Sequence, residues 1–222
     1  MFALVVLLGC VAVCGWAGTE EAIRAFTPAE ATEVSEITVP LSGQANGTVV
    51  LDALIAEEGK PQRIEVRREN PGLTSLARDA VKDWTFIPAK LNGKSITSRV
   101  AVAVTFNPAG SLAEPVPLPR LLPQSAEAIQ AEFQPPDVVR AAFPKYPHAT
   151  TVAGAVVIQI VLDEKGAVGA VQVLKDLPPL TDSTREAIAD WRFRPATQNG
   201  TPVPSKIVLA FVFHPWSRDK AS

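Results

Sequence analysis

Alternating apolar and polar residues predict strands between residues 47 and 108. In Thr48–Ala56 every second residue is apolar, so one face of a strand carries an apolar row. A second alternating run follows a glycine-containing turn. Apolar residues then recur at helical spacing through Leu73–Trp84, and a last alternating run covers Arg99–Phe106. The pattern therefore predicts a strand, a strand, a helix and a strand, in that order.

The same order of elements returns in the second half of the chain at a constant offset of 107 positions. Residues 47–108 align with residues 154–215 without a gap, and the segment Asp83–Ala89 returns as Asp190–Ala196. A repeat of this length exceeds the common solenoid periods, so it indicates a duplicated small domain. The apolar helix stripes include Trp84 and Trp191, which are predicted to lie in the core.

These elements predict an α+β fold of two tandem β-β-α-β units, each a three-stranded antiparallel sheet in the order 2-1-3 with one helix on one face. The first two strands form a hairpin, and the helix returns the chain so that the third strand runs antiparallel to the first. This order leaves the third strand as an open edge. In the second unit the outward residues of that strand, Val208, Ala210 and Val212, are unusually apolar. Packing against the other copy or a partner and simple crowding both remain open explanations.

The rest of the chain is divided around the two units. The predicted division is residues 1–17 as signal peptide or short membrane anchor, 18–46 as lead-in, 47–108 as the first domain, 109–145 as a proline-rich linker, 146–215 as the second domain and 216–222 as a tail. The stretch Pro115–Pro119 within the linker is typical of an extended, semi-rigid spacer.

An uncharged apolar run, Phe2–Ala17, opens the chain. As a helix it would reach roughly 24 Å, short of the ~30 Å hydrocarbon core of a bilayer. Three interpretations stay open: a signal peptide cleaved near Ala17, a lipoprotein leader with Cys10 as the lipidated residue, and an uncleaved anchor. Each of them exports the rest of the chain, which predicts a periplasmic or envelope-associated protein.

Composition and motifs exclude several classes of function. The net charge is −2 and no basic run is present, which argues against a nucleic-acid partner. Both cysteines, Cys10 and Cys14, lie in the leader, so the rest of the chain has no thiol for a disulfide or a metal site. The two histidines, His148 and His214, are far apart, and no nucleophile-elbow motif occurs. We therefore expect no enzymatic activity, no cofactor and no metal site.

The second unit resembles the C-terminal domain of the TonB energy-transducer family. The resemblance rests on a tyrosine-proline pair before the domain, glycines that open the first strand and its turn, and a tryptophan-centred motif after the helix. The motif residues, taken as structural, are Tyr146, Pro147, Gly154, Gly166, Trp191, Phe193 and Pro195, with Trp84, Phe86 and Pro88 in the first unit. The first unit has Thr85 and Ile87 in place of Arg192 and Arg194, so it is interpreted as a diverged copy.

The resemblance implies an envelope protein that couples proton-motive energy at the inner membrane to outer-membrane transporters. It also implies capture of an extended transporter segment by strand addition to the open third strand. The implied partner-binding residues are Lys206, Ile207, Val208, Leu209, Ala210, Phe211, Val212 and Phe213. The implied partners are a segment of an outer-membrane transporter or other envelope protein, an inner-membrane proton-channel motor, and a second copy of the chain.

Two alternatives to energy transduction are kept. The family's charged start, full-length anchor helix and long proline-rich spacer before the domain are not matched here, which favours an envelope adaptor that has no link to the motor. A periplasmic enzyme or ligand-binding protein is the alternative from another class, and a deep pocket with clustered acidic groups would support it.

Overall fold

The computed structural model describes residues 26–37, 46–108, 115–118, 121–126, 132–146 and 152–214. The expected leader at residues 1–17, the expected tail at residues 216–222 and Pro147 lie outside the described residues. The first half of the chain forms β1 (Phe26–Thr27), β2 (Glu30–Glu33), β3 (Gly47–Ile55), β4 (Pro61–Arg68), α1 (Thr74–Lys82), β5 (Thr85–Ile87), β6 (Ala89–Leu91), β7 (Lys94–Ile96) and β8 (Ser98–Pro108).

The second half repeats this series after one additional strand. Its elements are β9 (Pro115–Pro117), β10 (Phe133–Gln134), β11 (Asp137–Ala142), β12 (Gly154–Leu162), β13 (Val168–Lys175), α2 (Leu180–Ile188), β14 (Arg192–Arg194), β15 (Ala196–Gln198), β16 (Thr201–Val203) and β17 (Ser205–His214). The described residues are mostly strands with two helices, as expected for an α+β fold.

The long strands of both halves join into one six-stranded sheet in the order β13-β12-β17-β8-β3-β4. Within each half the first strand lies between the second and the third. The prediction of two separate three-stranded sheets is wrong, because β8 and β17 pair with each other in parallel from Ala101 and Ile207 to Pro108 and His214. The assembled sheet buries Val208, Ala210 and Val212 of β17 and Ala101 and Ala103 of β8, which favours this pairing.

The parallel pairing places the two helices on opposite faces of the sheet. When two equivalent strands pair in parallel, a rotation of 180° about an axis parallel to the strands relates the two units. This rotation exchanges the two faces of the sheet, so the helix of the second unit lies on the face opposite the helix of the first. The positions of the buried side chains agree with this arrangement. Trp84 packs in one core with the first-half face that includes Leu51 and Val104, whereas Trp191 packs in the other core with Ile158 and Leu209.

Each core also receives side chains from the other half. The first-half core contains the outward residues of the second half, namely Ala155, Val157, Val208, Ala210 and Val212. The second-half core likewise contains Val50, Ala101 and Ala103. The apolar outer face noted in the sequence therefore packs against the other copy.

Short strands in the segments predicted as a lead-in and a linker pair with strands of the unit that follows them. Strand β2 pairs antiparallel with β5, and β11 pairs in the equivalent way with β14. Likewise β1 pairs with β6, and β10 with β15. The register is the same in both halves at the 107-residue offset, because Phe26 pairs with Leu91 and Phe133 pairs with Gln198. The rings of Phe26 and Phe133 meet with centroids 5.1 Å apart.

Candidate functional site

The strand that the sequence assigned to partner binding is an interior strand of the sheet. Residues Lys206–Phe213 pair with β12 on one side, and residues 207–213 pair with β8 on the other. Side chains from Ile207 to Phe213 are at most 1% exposed. The expectation of an open edge here is therefore wrong, because the equivalent strand of the other half occupies the position that a partner segment would take. Partner binding by these residues stays a prediction that would require β8 to leave.

The tryptophan-centred motif builds the cores, as the helical spacing predicted. Trp84 is fully buried, Trp191 is 2% exposed, and Phe86 and Phe193 are buried beside them. The indole Nε1 of Trp191 donates to the carbonyl of Ala142 at 3.0 Å. This bond attaches β11 to the second-half core. The Tyr146 hydroxyl donates to the Val152 carbonyl just before the domain.

The hairpin glycines permit a close approach between each hairpin and the motif strand. Gly59 and Gly166 have φ of +81° and +78°. An added Cβ would lie 1.9 Å from the Phe86 carbonyl oxygen at Gly59, and 2.4 Å from the Phe193 carbonyl oxygen at Gly166. The following prolines, Pro88 and Pro195, are partly exposed. Gly154, with φ of +144°, is similarly close to Leu177. The hairpin of each half therefore packs closely against the motif strand of the same half.

A buried charge cluster lies on the first-half sheet, on the face opposite α1. The Arg99 guanidinium donates to Asp52 Oδ2 from Nε at 2.9 Å and from Nη2 at 2.6 Å, and Nη2 lies 3.3 Å from Glu65 Oε2. Asp52 is 1% exposed, and burial raises the pKa of its carboxyl group. Burial also lowers the pKa of the neighbouring Arg67.

Strand β11 covers this cluster and brings a second set of ion pairs. Asp137 accepts from Arg68 Nη2 at 3.2 Å and lies 3.5 Å from Arg194 Nη1. A cavity of about 190 Å³ remains between the two sets, lined by Asp52, Arg67, Asp137 and Arg194 among others. Asp52 Oδ1 and Arg67 Nη1 have no hydrogen-bond partner among the described residues. Among the described residues that line this cavity there is no histidine, cysteine or serine.

The equivalent position in the second half is largely neutral. Gln159 and Gln172 replace Asp52 and Glu65, and Lys206 replaces Arg99. Lys206 Nζ lies 2.6 Å from Glu30 Oε2, and the Ala31 N–H donates to Gln159 Oε1 at 3.0 Å. The hydrogen bond from Lys206 lowers the pKa of Glu30 from its usual 4.5. Strand β2 is thus attached to the second half, just as β11 is attached to the first.

The sheet ends in two edge strands that differ in their surroundings. At β4, the Leu122 N–H donates to the Arg67 carbonyl at 2.7 Å, and the Ser125 hydroxyl donates to Glu65 Oε1 at 2.8 Å. A segment of the chain itself therefore runs along this edge. Strand β13 pairs with β12 alone within the part of the chain that the structure describes. Beside β13 lies an open groove of about 540 Å³ that extends to the start of α2.

Sequence reasoning missed both the covered edge and the strands that cross between halves. One signal was available, because Phe26 matches Phe133 and Pro28 matches Pro135 at the same 107-residue offset as the rest of the repeat. Extending the alignment by these residues would have placed β1 and β10 inside the repeat. The ion pairs of Glu30 and Asp137 had no signal of this kind, since they join residues that are remote in sequence.

Comparison with known families agrees with this duplicated geometry. The family model of the Gram-negative bacterial TonB protein C-terminal domain matches residues 42–108 and again residues 139–215. The chain belongs to the TonB C-terminal family. No curated protein matches the chain significantly. In the described residues of this TonB-like protein, neither helix is long and apolar enough to span a membrane, and no three acidic, histidine or cysteine side chains form a cluster suited to a metal ion.

Proposed function

We propose that the chain is a non-enzymatic envelope protein that binds an extended segment of an outer-membrane transporter by adding it to an edge of the six-stranded sheet. The proposal rests on one observation: the two TonB-type units form an open sheet that ends in edge strands. Edge strands present backbone N–H and C=O groups that can pair with another chain. Strand addition supplies affinity through these groups and specificity through alternate side chains.

Capture at an edge is favoured over capture at Lys206–Phe213. Separating β17 from β8 would expose Val208, Ala210 and Val212, which lie in the first-half core. Burial of apolar side chains is worth roughly 1.5–3 kcal/mol each for residues the size of valine or leucine. A weakly binding segment would not offset that loss, whereas addition at an edge leaves both cores intact.

Peptide binding tests the proposed function. The probes are overlapping short peptides from the periplasm-facing segments of the source organism's outer-membrane transporters, each paired with a scrambled version. Immobilised peptides are incubated with the labelled full chain, and the dissociation constants of those that bind are measured by calorimetry. We expect at least one peptide to bind more tightly than its scrambled version. Equal binding of all native and scrambled peptides would contradict the proposal.

A second candidate function is an envelope adaptor without a link to the proton motor. The favouring observation is that the third strands, which the TonB resemblance assigns to transporter capture, pair with each other inside one chain. The intact mass and N-terminal residue of the protein from fractionated cells distinguish the two candidates. A chain that begins at Met1 in the inner membrane supports energy transduction. A mature start near Gly18, or a lipidated Cys10, supports the adaptor.

A further inference from the structure

Strand β13 has the composition of an edge that accepts another strand. Its sequence from Val168 to Lys175 contains no proline and a single charge. Exposed edge strands are commonly protected by charge, proline or a covering segment, because an unprotected edge pairs with other chains. The opposite edge, β4, has these protections: it begins at Pro61 and carries four charged residues.

The repeat shows what kind of chain fits such an edge. Both edge strands contain a bulge at the same position, which leaves Arg67 unpaired with β3 and Leu174 unpaired with β12. In the first half, the carbonyl of Arg67 at this bulge accepts the N–H of Leu122. The equivalent carbonyl in the second half belongs to Leu174. Outside the strand ladders, no backbone hydrogen bond among the described residues involves β13.

The groove beside β13 adds side-chain recognition to this edge. It is lined by the apolar residues Val173 and Leu174, by Asp176 and Asp182, and by Arg185 on α2. Two carboxylates against one guanidinium make its charge negative, so a basic side chain is the favoured neighbour. An extended segment along β13 would direct alternate side chains toward this groove, because successive residues of a strand point to opposite faces.

We infer that β13 and the adjoining groove are the site where the chain binds a transporter segment, and that this segment carries an apolar residue and, two positions away, a lysine or arginine. This inference rests on the proposed function. The bound segment takes the position at β13 that residues 121–125 occupy at β4. It is thus added to the second strand of the second unit, and the β8–β17 pairing stays intact.

Cross-linking tests the location. Cys10 and Cys14 are the only cysteines, so their replacement by serine gives a background for single-cysteine labelling. A benzophenone is attached at Ala170→Cys on β13 or, as the matched control, at Arg63→Cys, the equivalent exposed position on β4. The probe is the transporter peptide that has the lowest dissociation constant in the peptide-binding experiment. We expect cross-linking from position 170 and none from position 63.

Charge reversal tests the groove. Asp182→Lys on α2 should weaken binding of that peptide by about tenfold, because it replaces an attractive charge with a repulsive one. Ser75→Lys adds the same side chain at the equivalent exposed position of α1 and should leave the dissociation constant unchanged. Both positions are exposed, so both variants should fold, which far-ultraviolet circular dichroism checks.

The outcomes separate this inference from the proposed function. A peptide that binds but cross-links only elsewhere, or binds Asp182→Lys as tightly as the parent chain, overturns the assignment to β13 and leaves the proposed function standing. If no transporter peptide binds, both the assignment to β13 and the proposed function are overturned. Cross-linking of position 170 to a second copy of the chain, undisturbed by peptide, assigns the edge to a homodimer and overturns the inference.

Discussion

Individual charged residues connect the two halves of this protein more directly than their sequence positions suggest. Glu30 precedes the first unit yet pairs with Lys206 on the last strand of the second unit. Asp137 precedes the second unit and pairs with Arg68 in the first. The two acidic residues are equivalent in the repeat, so each anchors the strand before its own unit to the sheet of the other.

The Glu30–Lys206 pair predicts a pH dependence of stability. The pKa of Glu30 is lower in the folded chain than its usual value of 4.5. The pair therefore contributes its full stabilisation when the pH is above 4.5, and this stabilisation is lost as the pH falls through the lower pKa of the folded state. We expect Glu30→Gln to lower the free energy of unfolding by about 0.5–1 kcal/mol at neutral pH, since the pair is partly exposed. The difference should disappear in acid.

Urea unfolding of both proteins over a pH series measures this effect. Glu36→Gln removes an exposed carboxylate of the same segment and is the control. An equal stability difference at acid and neutral pH would show that the carboxylate charge is not what stabilises the contact.

Among the elements, β17 differs most from its prediction, because it was expected at an open edge and lies in the interior of the sheet. Its residues alternate toward both cores, with Leu209 in one and Val208 and Ala210 in the other. A strand that is apolar on both faces is typical of the interior of a sheet covered on both sides. The alternation indicated which residues share a face, but it did not indicate whether the strand would have one neighbour or two.

Leu209→Pro distinguishes an interior strand from an edge. Leu209 pairs with Ile158 on one side and Ala103 on the other. The substitution removes a backbone N–H inside the sheet and truncates a buried side chain, which together cost roughly 5 kcal/mol or more. That loss approaches the whole stability of a typical domain, ~5–15 kcal/mol.

We therefore expect Leu209→Pro to be unfolded or insoluble, as judged by circular dichroism and size-exclusion chromatography. Leu209→Ala is the control for the lost side chain alone and should remain folded with reduced stability. A Leu209→Pro protein as stable as the Leu209→Ala protein would mean that β17 lies at an edge.

For the whole molecule, the two TonB-type units depend on each other. Each core takes side chains from both halves, and a unit of this size buries only about 60% of its surface when it folds alone. We expect residues 26–108 and residues 132–215, produced separately, to be much less stable than the full chain. Each would expose an apolar sheet face, including Val208, Ala210 and Val212 in the second fragment.

Thermal unfolding and analytical ultracentrifugation of the fragments check this expectation. When mixed, the two fragments should form a one-to-one complex that unfolds cooperatively. A fragment carrying Val208→Asp is the control that should not assemble. Two monomeric fragments that each unfold at the temperature of the full chain would show that the shared cores contribute little.

The sequence by itself determined the duplication, the order of the long strands and helices, and the residues that face each core. These features follow from local periodicity and from identity at a constant offset, both of which can be read without knowing the fold. Trp84 and Trp191 were predicted to be buried for this reason. The buried Asp52 was not, since the face of β3 that carries it lies against residues of the second half such as Asp137 and Arg194.

Only the tertiary structure decided that β8 pairs with β17, which leaves β13 and β4 as the edge strands of the sheet among the described residues. A strand offers the same backbone hydrogen bonds to any neighbour, so alternation cannot distinguish a strand of the same chain from a strand of a partner. Which strand pairs with β8 depends on the apolar area that the two halves bury together. It also depends on the contacts that β2 and β11 each make with the other half. These contacts join residues from 69 positions apart (Arg68 and Asp137) to 176 positions apart (Glu30 and Lys206), and a pattern within one unit does not contain them.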